Sequence, residues 1–309
     1  MTPSFLSLDG ADAVFAVTAP DGAVLPVYAL AGPAHGPALL FGHANGLAAG
    51  SYAPWLKDLA QHARIFAYDA RGNGGSSWPA GPLDRVFHVE RLADDLRLVA
   101  EAVTARLEGS VPAYLGHSLG GASAIDLAIA GNLPRFPALM LIEPPIFPAP
   151  KSTSHAEAMR IQDRLIAGSR KRRADWPSVA AFYERLKSGN SVFAKFPDPM
   201  LKAHCRATLK PKPAGGFTLC CPPEVECAIY EAHRESGSWN GLARVTIPLD
   251  LVGGDPNRPD RDWISGAITD MAKQMPRARL TVLAGAGHLM ICEEPARLLA
   301  LVRRWLGCG

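Results

Sequence analysis

The sequence predicts an α/β protein: a mostly parallel central sheet with helices on both faces and an inserted, mainly helical cap. Three observations predict it. Short apolar runs alternate with stretches whose apolar residues recur at helical spacing, the pattern of strands and crossover helices. One of the runs stops at Ser118 between glycines, as a sharp strand-to-helix turn requires. Between Pro144 and about Gly241 the alternation ceases, leaving helical patterns, proline-rich joints and little strand signal. At 309 residues the chain exceeds the usual size of one core, yet α/β folds run that long with an insertion. The expected organisation is a core segment over 1–144, a cap over 145–240 and a second core segment over 241–309.

Taken in order, residues 13–30 alternate like a β-hairpin around Asp21-Gly22. A buried strand over 39–42, a helix over 52–62 and a strand over 64–68 follow. Residues 89–107 carry apolar positions at helical spacing and precede the serine strand. Met140-Leu141-Ile142-Glu143 reads as the next strand, ending at an acid. Within the insertion, 156–167 and 178–187 read as helices. Strands ending in Gly253-Gly254-Asp255 and in Leu280-Thr281-Val282-Leu283 complete the set. In such a sheet the reactive residues fall at the carboxyl ends of the strands, where ligands bind.

The most informative stretch is Val111-Pro112-Ala113-Tyr114-Leu115-Gly116-His117-Ser118-Leu119-Gly120-Gly121-Ala122. Gly116 and Gly120 leave room where the backbone doubles back, and the helix that follows aims unpaired N–H groups and its positive dipole end at whatever Ser118 attacks. A serine hydroxyl is a weak nucleophile and needs an imidazole oriented by a third group. Of the nine histidines, His288 leaves a strand pattern next to Gly287 and is the expected base. Asp255, at a strand's carboxyl end, is the expected acid and gives the chain order Ser118, Asp255, His288. Glu143 and Asp260 are the rivals; Asp250 lies inside its strand pattern.

Several pieces match a known family almost from end to end. They are Phe41-Gly42-His43-Ala44-Asn45-Gly46-Leu47, Tyr68-Asp69-Ala70-Arg71-Gly72-Asn73-Gly74-Gly75-Ser76, the turn 116–121, Val252-Gly253-Gly254-Asp255 and Gly287-His288. On these the chain resembles the α/β-hydrolase superfamily, in its esterase-like branch with a helical cap. In many relatives two residues separate a strand-end glycine from the acid, whereas here Asp255 follows Gly254 directly, so the rival acids stay open. The resemblance implies an oxyanion hole formed by the backbone N–H groups of Leu119 and Asn45. It also implies acyl transfer: Ser118 attacks an ester carbonyl, His288 moves the proton and the acid fixes the imidazole. The cap would cover the serine and shape the pocket. The same residues suit carbon–carbon, lactone or amide hydrolysis or acyl transfer, and a non-catalytic ligand receptor is the reading from a different class. No cofactor and no metal are expected.

Composition fits a globular protein: 48% hydrophobic and 20% charged residues argue against extended disorder. A net charge of +3 gives no global argument for nucleic acid, so the expected partner is a small-molecule substrate. No apolar run reaches a membrane span, and Met1 to Asp9 have neither a basic start nor a long apolar core. A cytoplasmic protein is expected, with its six cysteines mostly reduced; a zinc site from Cys220, Cys221 and Cys227 has the wrong spacing. Cys292, four residues after His288, is expected near the site. Arg71 reads as a structural brace, and Arg170-Lys171-Arg172-Arg173 as a solvated helix end. The oligomeric state is open.

Overall fold

The computed structural model describes residues 5–189 and 191–308; the first four residues of the segment expected to lack a leader lie outside these. The strands are β1 (Ala13–Thr18), β2 (Val24–Leu30), β3 (Ala38–Gly42), β4 (Arg64–Tyr68), β5 (Ala113–His117), β6 (Leu139–Ile142), β7 (Asp175–Trp176), β8 (Leu209–Pro211), β9 (Phe217–Leu219), β10 (Leu249–Gly253) and β11 (Ala278–Val282). The helices are α1 (Ala53–Ala60), α2 (Leu83–Val86), α3 (Val89–Arg106), α4 (Leu119–Ala130), α5 (His155–Arg170), α6 (Val179–Ser188), α7 (Asp198–Ala207), α8 (Pro223–Glu235), α9 (Trp263–Gln274), α10 (Met290–Glu293) and α11 (Pro295–Leu306).

The central sheet has the order β1-β2-β4-β3-β5-β6-β10-β11. β2 pairs antiparallel with β1, as the expected hairpin, and with β4, while β4, β3, β5, β6, β10 and β11 run parallel to one another. Central strands buried on both faces need apolar runs rather than alternation, and β3, β5 and β6 have them. One hydrophobic cluster joins that sheet to α3, α4 and α9; a second joins its other face to α1 and α11. Each face therefore carries helices, as the alternation implied.

Close approach of α4 to the sheet explains the glycines around Ser118. A Cβ on Gly116 would lie 2.6 Å from the Gly121 nitrogen, and one on Gly120 would lie 2.6 Å from the Gly42 carbonyl carbon. The Tyr114 hydroxyl donates to the Gly120 carbonyl at 2.8 Å and locks the same junction.

The insertion between β6 and β10 holds α5 to α8 and, beyond the helices expected, a small antiparallel sheet of order β7-β9-β8. Those strands are two or three residues long, too short to leave a periodic signal. The expected boundary at 240 falls inside a 3-10 segment, Ser238–Arg244, that packs on α4.

Arg71 is the brace expected. Its guanidinium is buried, pairs with Asp95 of α3 through two 2.8 Å bonds, and reaches Asp21 of the β1–β2 turn at 2.5 Å. Asp69 is likewise buried and accepts from the Ser7 and Tyr28 hydroxyls and from the N–H groups of Ala49 and Gly75. These two residues fix the loops after β3 and β4.

Candidate active site

Ser118 follows β5 and opens α4, with φ of 51°. For a residue with a Cβ that is a strained conformation, held here because its N–H donates to the Ile142 carbonyl while Gly120 donates to the His43 carbonyl. The hydroxyl is thereby aimed off the end of the sheet. The Ser118 Oγ lies 3.0 Å from Nε2 of His288, which the loop after β11 carries back across the strand ends.

The other ring nitrogen corrects the expected acid. His288 Nδ1 lies 3.2 Å from Oε2 of Glu143, not against Asp255. Glu143 ends β6, the neighbour of the serine strand, also with positive φ (47°), and its N–H continues the ladder to the Val252 carbonyl. Its carboxylate is fully buried. Gly254 donates to it at 2.6 Å and the Ser265 hydroxyl at about 3.0 Å. A Cβ on Gly254 would lie 2.8 Å from that hydroxyl, so the end of β10 contributes backbone, not a carboxylate. Asp255 instead accepts from the N–H groups of Asn257 and Gly285, each at 2.8 Å, and these bonds hold its pKa below the usual value. The turn after β10 consumes its carboxylate. Asp260, the other rival, is exposed at the cavity mouth in ion pairs with Arg258 and Lys195.

Burial works against the charged imidazolium of His288. The bond to Glu143 and the charges of Asp262, Glu143 and Glu293 outweigh it, so the pKa stands above the ordinary histidine value. Asp262 caps α9 by accepting from Ile264 and lines the same cavity; burial pushes its own pKa up. Neither Asp262 nor Ser265 was expected at the site: Ser265 meets Glu143 across 122 residues, and Asp262 sits in a loop rich in proline and charge that shows no motif.

Asn45 and Leu119 border the same cavity as Ser118 and His288. Neither backbone N–H has a hydrogen-bond partner among the described residues. Leu119 is the first residue of α4, whose leading N–H groups lack intrahelical acceptors. The Asn45 amide donates to the Glu226 carbonyl of α8 at 3.0 Å, tying this loop to the insertion.

The cavity measures about 1010 Å³. Core residues meet the insertion there, with Ile161, Leu165, Phe193, Ile229 and Tyr230 among its walls. Of the aromatic residues of the insertion, Phe193 lines the cavity, while Trp176, Phe182 and Phe196 are buried in packing. Arg172 departs from the solvated helix end expected: it is half-buried in the cavity wall and ion-paired with Glu226. Cys292 also departs from expectation, being fully buried outside the cavity lining with its thiol pushed up by burial. Among the described residues no group of three metal-binding side chains converges, and no helix is long and apolar enough to cross a membrane.

A buried serine hydroxyl, an imidazole and a carboxylate stand in line at the strand ends of this sheet, and comparison with known proteins gives the family. The model of the alpha/beta hydrolase family matches residues 25–301, and the chain belongs to that family. It is 33% identical over 282 residues to the magnesium-chelatase 30 kDa subunit of Rhodobacter capsulatus, covering 89% of this chain and 88% of that one. Among solved structures, a hydrolase from Pseudomonas aeruginosa PA01 superposes with a TM-score of 0.67 at 24% identity, over 96% of this chain and 100% of that one. A malate-bound esterase from Thermogutta terrifontis gives 0.63 at 22% identity, over 96% and 98%. At these identities the two structures speak to fold alone.

Proposed function

We propose that the protein is a serine hydrolase that cleaves carboxylic esters of small or medium apolar substrates through an acyl-enzyme, with Ser118, His288 and Glu143 as its triad. The observation that carries the proposal is the continuous line from Ser118 Oγ through both ring nitrogens of His288 to the buried Glu143 carboxylate. In this reading His288 Nε2 takes the hydroxyl proton as Oγ bonds to the carbonyl carbon. The N–H groups of Leu119 and Asn45 receive the negative oxygen, since both border the cavity and lack other partners among the described residues. Collapse of the tetrahedral species breaks the ester C–O bond, and His288 returns the proton to the departing alkoxide. Water then repeats the sequence and frees the acid. The Glu143 charge holds Nδ1 protonated, leaving Nε2 free to accept. The largely apolar cavity supports an apolar acyl or alcohol group, shielded by the insertion acting as a cap.

Intact-protein mass after fluorophosphonate treatment, beside turnover of p-nitrophenyl esters of rising chain length, tests this. One adduct per chain, absent in Ser118→Ala and accompanied by turnover, is expected. An adduct without turnover moves the reaction to carbon–carbon, lactone or amide bonds. The Rhodobacter capsulatus relative bears the name of a chelatase subunit, which supports a second reading in which the cavity holds a ligand without cleaving it. Absence of both adduct and turnover would favour that reading and overturn ours.

A further inference from the structure

The residue between Gly116 and Ser118 has no part in the mechanism above, yet its surroundings are fully determined. His117 is completely buried. Its Nε2 lies 2.8 Å from the backbone carbonyl of His288, and its Nδ1 lies 2.7 Å from the Tyr52 hydroxyl, also completely buried. Tyr52 Oη in turn accepts from the N–H of Ala44, the residue before Asn45, at 3.3 Å.

The donor and acceptor roles follow from elementary chemistry. A carbonyl only accepts, so His117 Nε2 carries the proton and donates to His288. A neutral imidazole then has a bare Nδ1, which takes the Tyr52 hydroxyl proton. The hydroxyl keeps a lone pair for the Ala44 N–H. Every group in the chain is satisfied in one direction only, and burial, chiefly, with the nearby His288 charge, lowers the His117 pKa to about 3, so the neutral form persists in ordinary buffers. No single step of this chain is local in sequence: the contacts span 8, 65 and 171 residues.

We infer that His117 and Tyr52 are positioning residues for acyl transfer, coupling the backbone that carries the His288 ring to the loop that carries the Asn45 N–H, through the residue adjoining Ser118. The role rests on the serine-hydrolase reading above. Neither side chain touches substrate. What they fix is the relative placement of base, nucleophile and oxyanion donor, which come from three separate loops. An error of about 1 Å in such placement costs on the order of 100-fold in rate. A side-chain amide at 117 can replace both interactions, because its oxygen accepts and its nitrogen donates at nearly the imidazole spacing.

The test is the second-order rate and the final stoichiometry of fluorophosphonate labelling for the wild type, His117→Leu, His117→Gln and Tyr52→Phe. His117→Leu is expected to label about 10- to 100-fold more slowly while still reaching one adduct per chain, and His117→Gln to recover to within about threefold. Tyr52→Phe, which removes one oxygen, is expected to slow about fivefold, and it carries the test should His117→Leu not fold. Wild-type rates in His117→Leu or Tyr52→Phe would overturn the inference. So would a lower endpoint at unchanged rate, with Gln and Leu equally impaired, since that marks a packing role. Absence of labelling in the wild type would instead overturn the serine-hydrolase reading and this inference with it.

Discussion

Ser118 and Glu143 share a backbone oddity: both have positive φ, a conformation otherwise found among the described non-glycine residues only at Glu108. They end adjacent strands, so one imidazole spans the gap between their side chains. Glu143→Gln should lower kcat/KM by about 10²- to 10⁴-fold, because a neutral amide neither fixes the Nδ1 proton nor stabilises the imidazolium. The same change removes a charge that raises the His288 pKa. Activity requires neutral His288, so the wild-type rate should rise with pH through a pKa above 6.5, and the acid limb in Glu143→Gln should move to lower pH. Asp255→Asn should leave both rate and acid limb within about threefold of wild type; a loss matching that of Glu143→Gln would return the acid to Asp255. That Ser118, His288, Asn45 and Leu119 meet at one cavity was legible because each belongs to a short local motif. The acid was not, because a carboxylate ends each of two strands and the choice is made by Gly254, Ser265 and Asn257. Those three groups bind one carboxylate toward the histidine and the other into a turn.

At the scale of elements, the periodic helices α1, α3, α5 and α6 were read to within a few residues, because each displays an apolar face. The short strands of the insertion were not, since two or three residues define no period. Arg71 shows what binds elements the sequence leaves unconnected. It joins the β1–β2 turn, the loop after β4 and α3 through two carboxylates, in a site from which its own side chain and that of Asp95 are almost wholly removed from water. Arg71→Met should destabilise by about 3–5 kcal/mol, because Asp95 is left charged and buried without a partner. Adding Asp95→Leu should recover part of that loss in chemical denaturation. If the double variant is as unstable as the sum of the single ones, the ion pair is not what the elements share.

The whole molecule buries four uncharged histidines, His43, His117, His204 and His233, in its core. Burial, the leading cause at each, lowers all four pKa values, to about 3 at His117 and His204. The unfolded chain takes up protons at these positions below its ordinary histidine pKa of about 6.5, whereas the folded chain does not. Their contribution to stability should therefore be fully present above about pH 6.5 and fall as pH drops, down to about 3 for His117 and His204, by up to about 1.4 kcal/mol per pH unit for each of those two. Asp126, whose pKa burial raises to about 7, acts oppositely, gaining stability as pH falls from about 7 towards 3.8, and so do Asp95, Asp262 and His288, whose pKa values are also raised, so these groups offset part of the histidines' loss. Thermal midpoints measured from pH 7.5 to 4.5 should fall less steeply in His204→Asn than in the wild type; equal slopes would show that His204 is hydrated in solution.

With Glu143 at the end of β6 against His288, residues 255–261 of the loop that follows β10 make no hydrogen bond to the imidazole, and Asp262 at the end of that loop acts on it through charge. Its Arg258, Asp260 and Arg261 border the mouth of the cavity, bound to one another and to neighbouring charges but to no reacting atom. The gateway and the reaction centre are thus separate pieces of chain, and residues 256–261 can be redrawn to admit different molecules while the machinery behind them stays as it is.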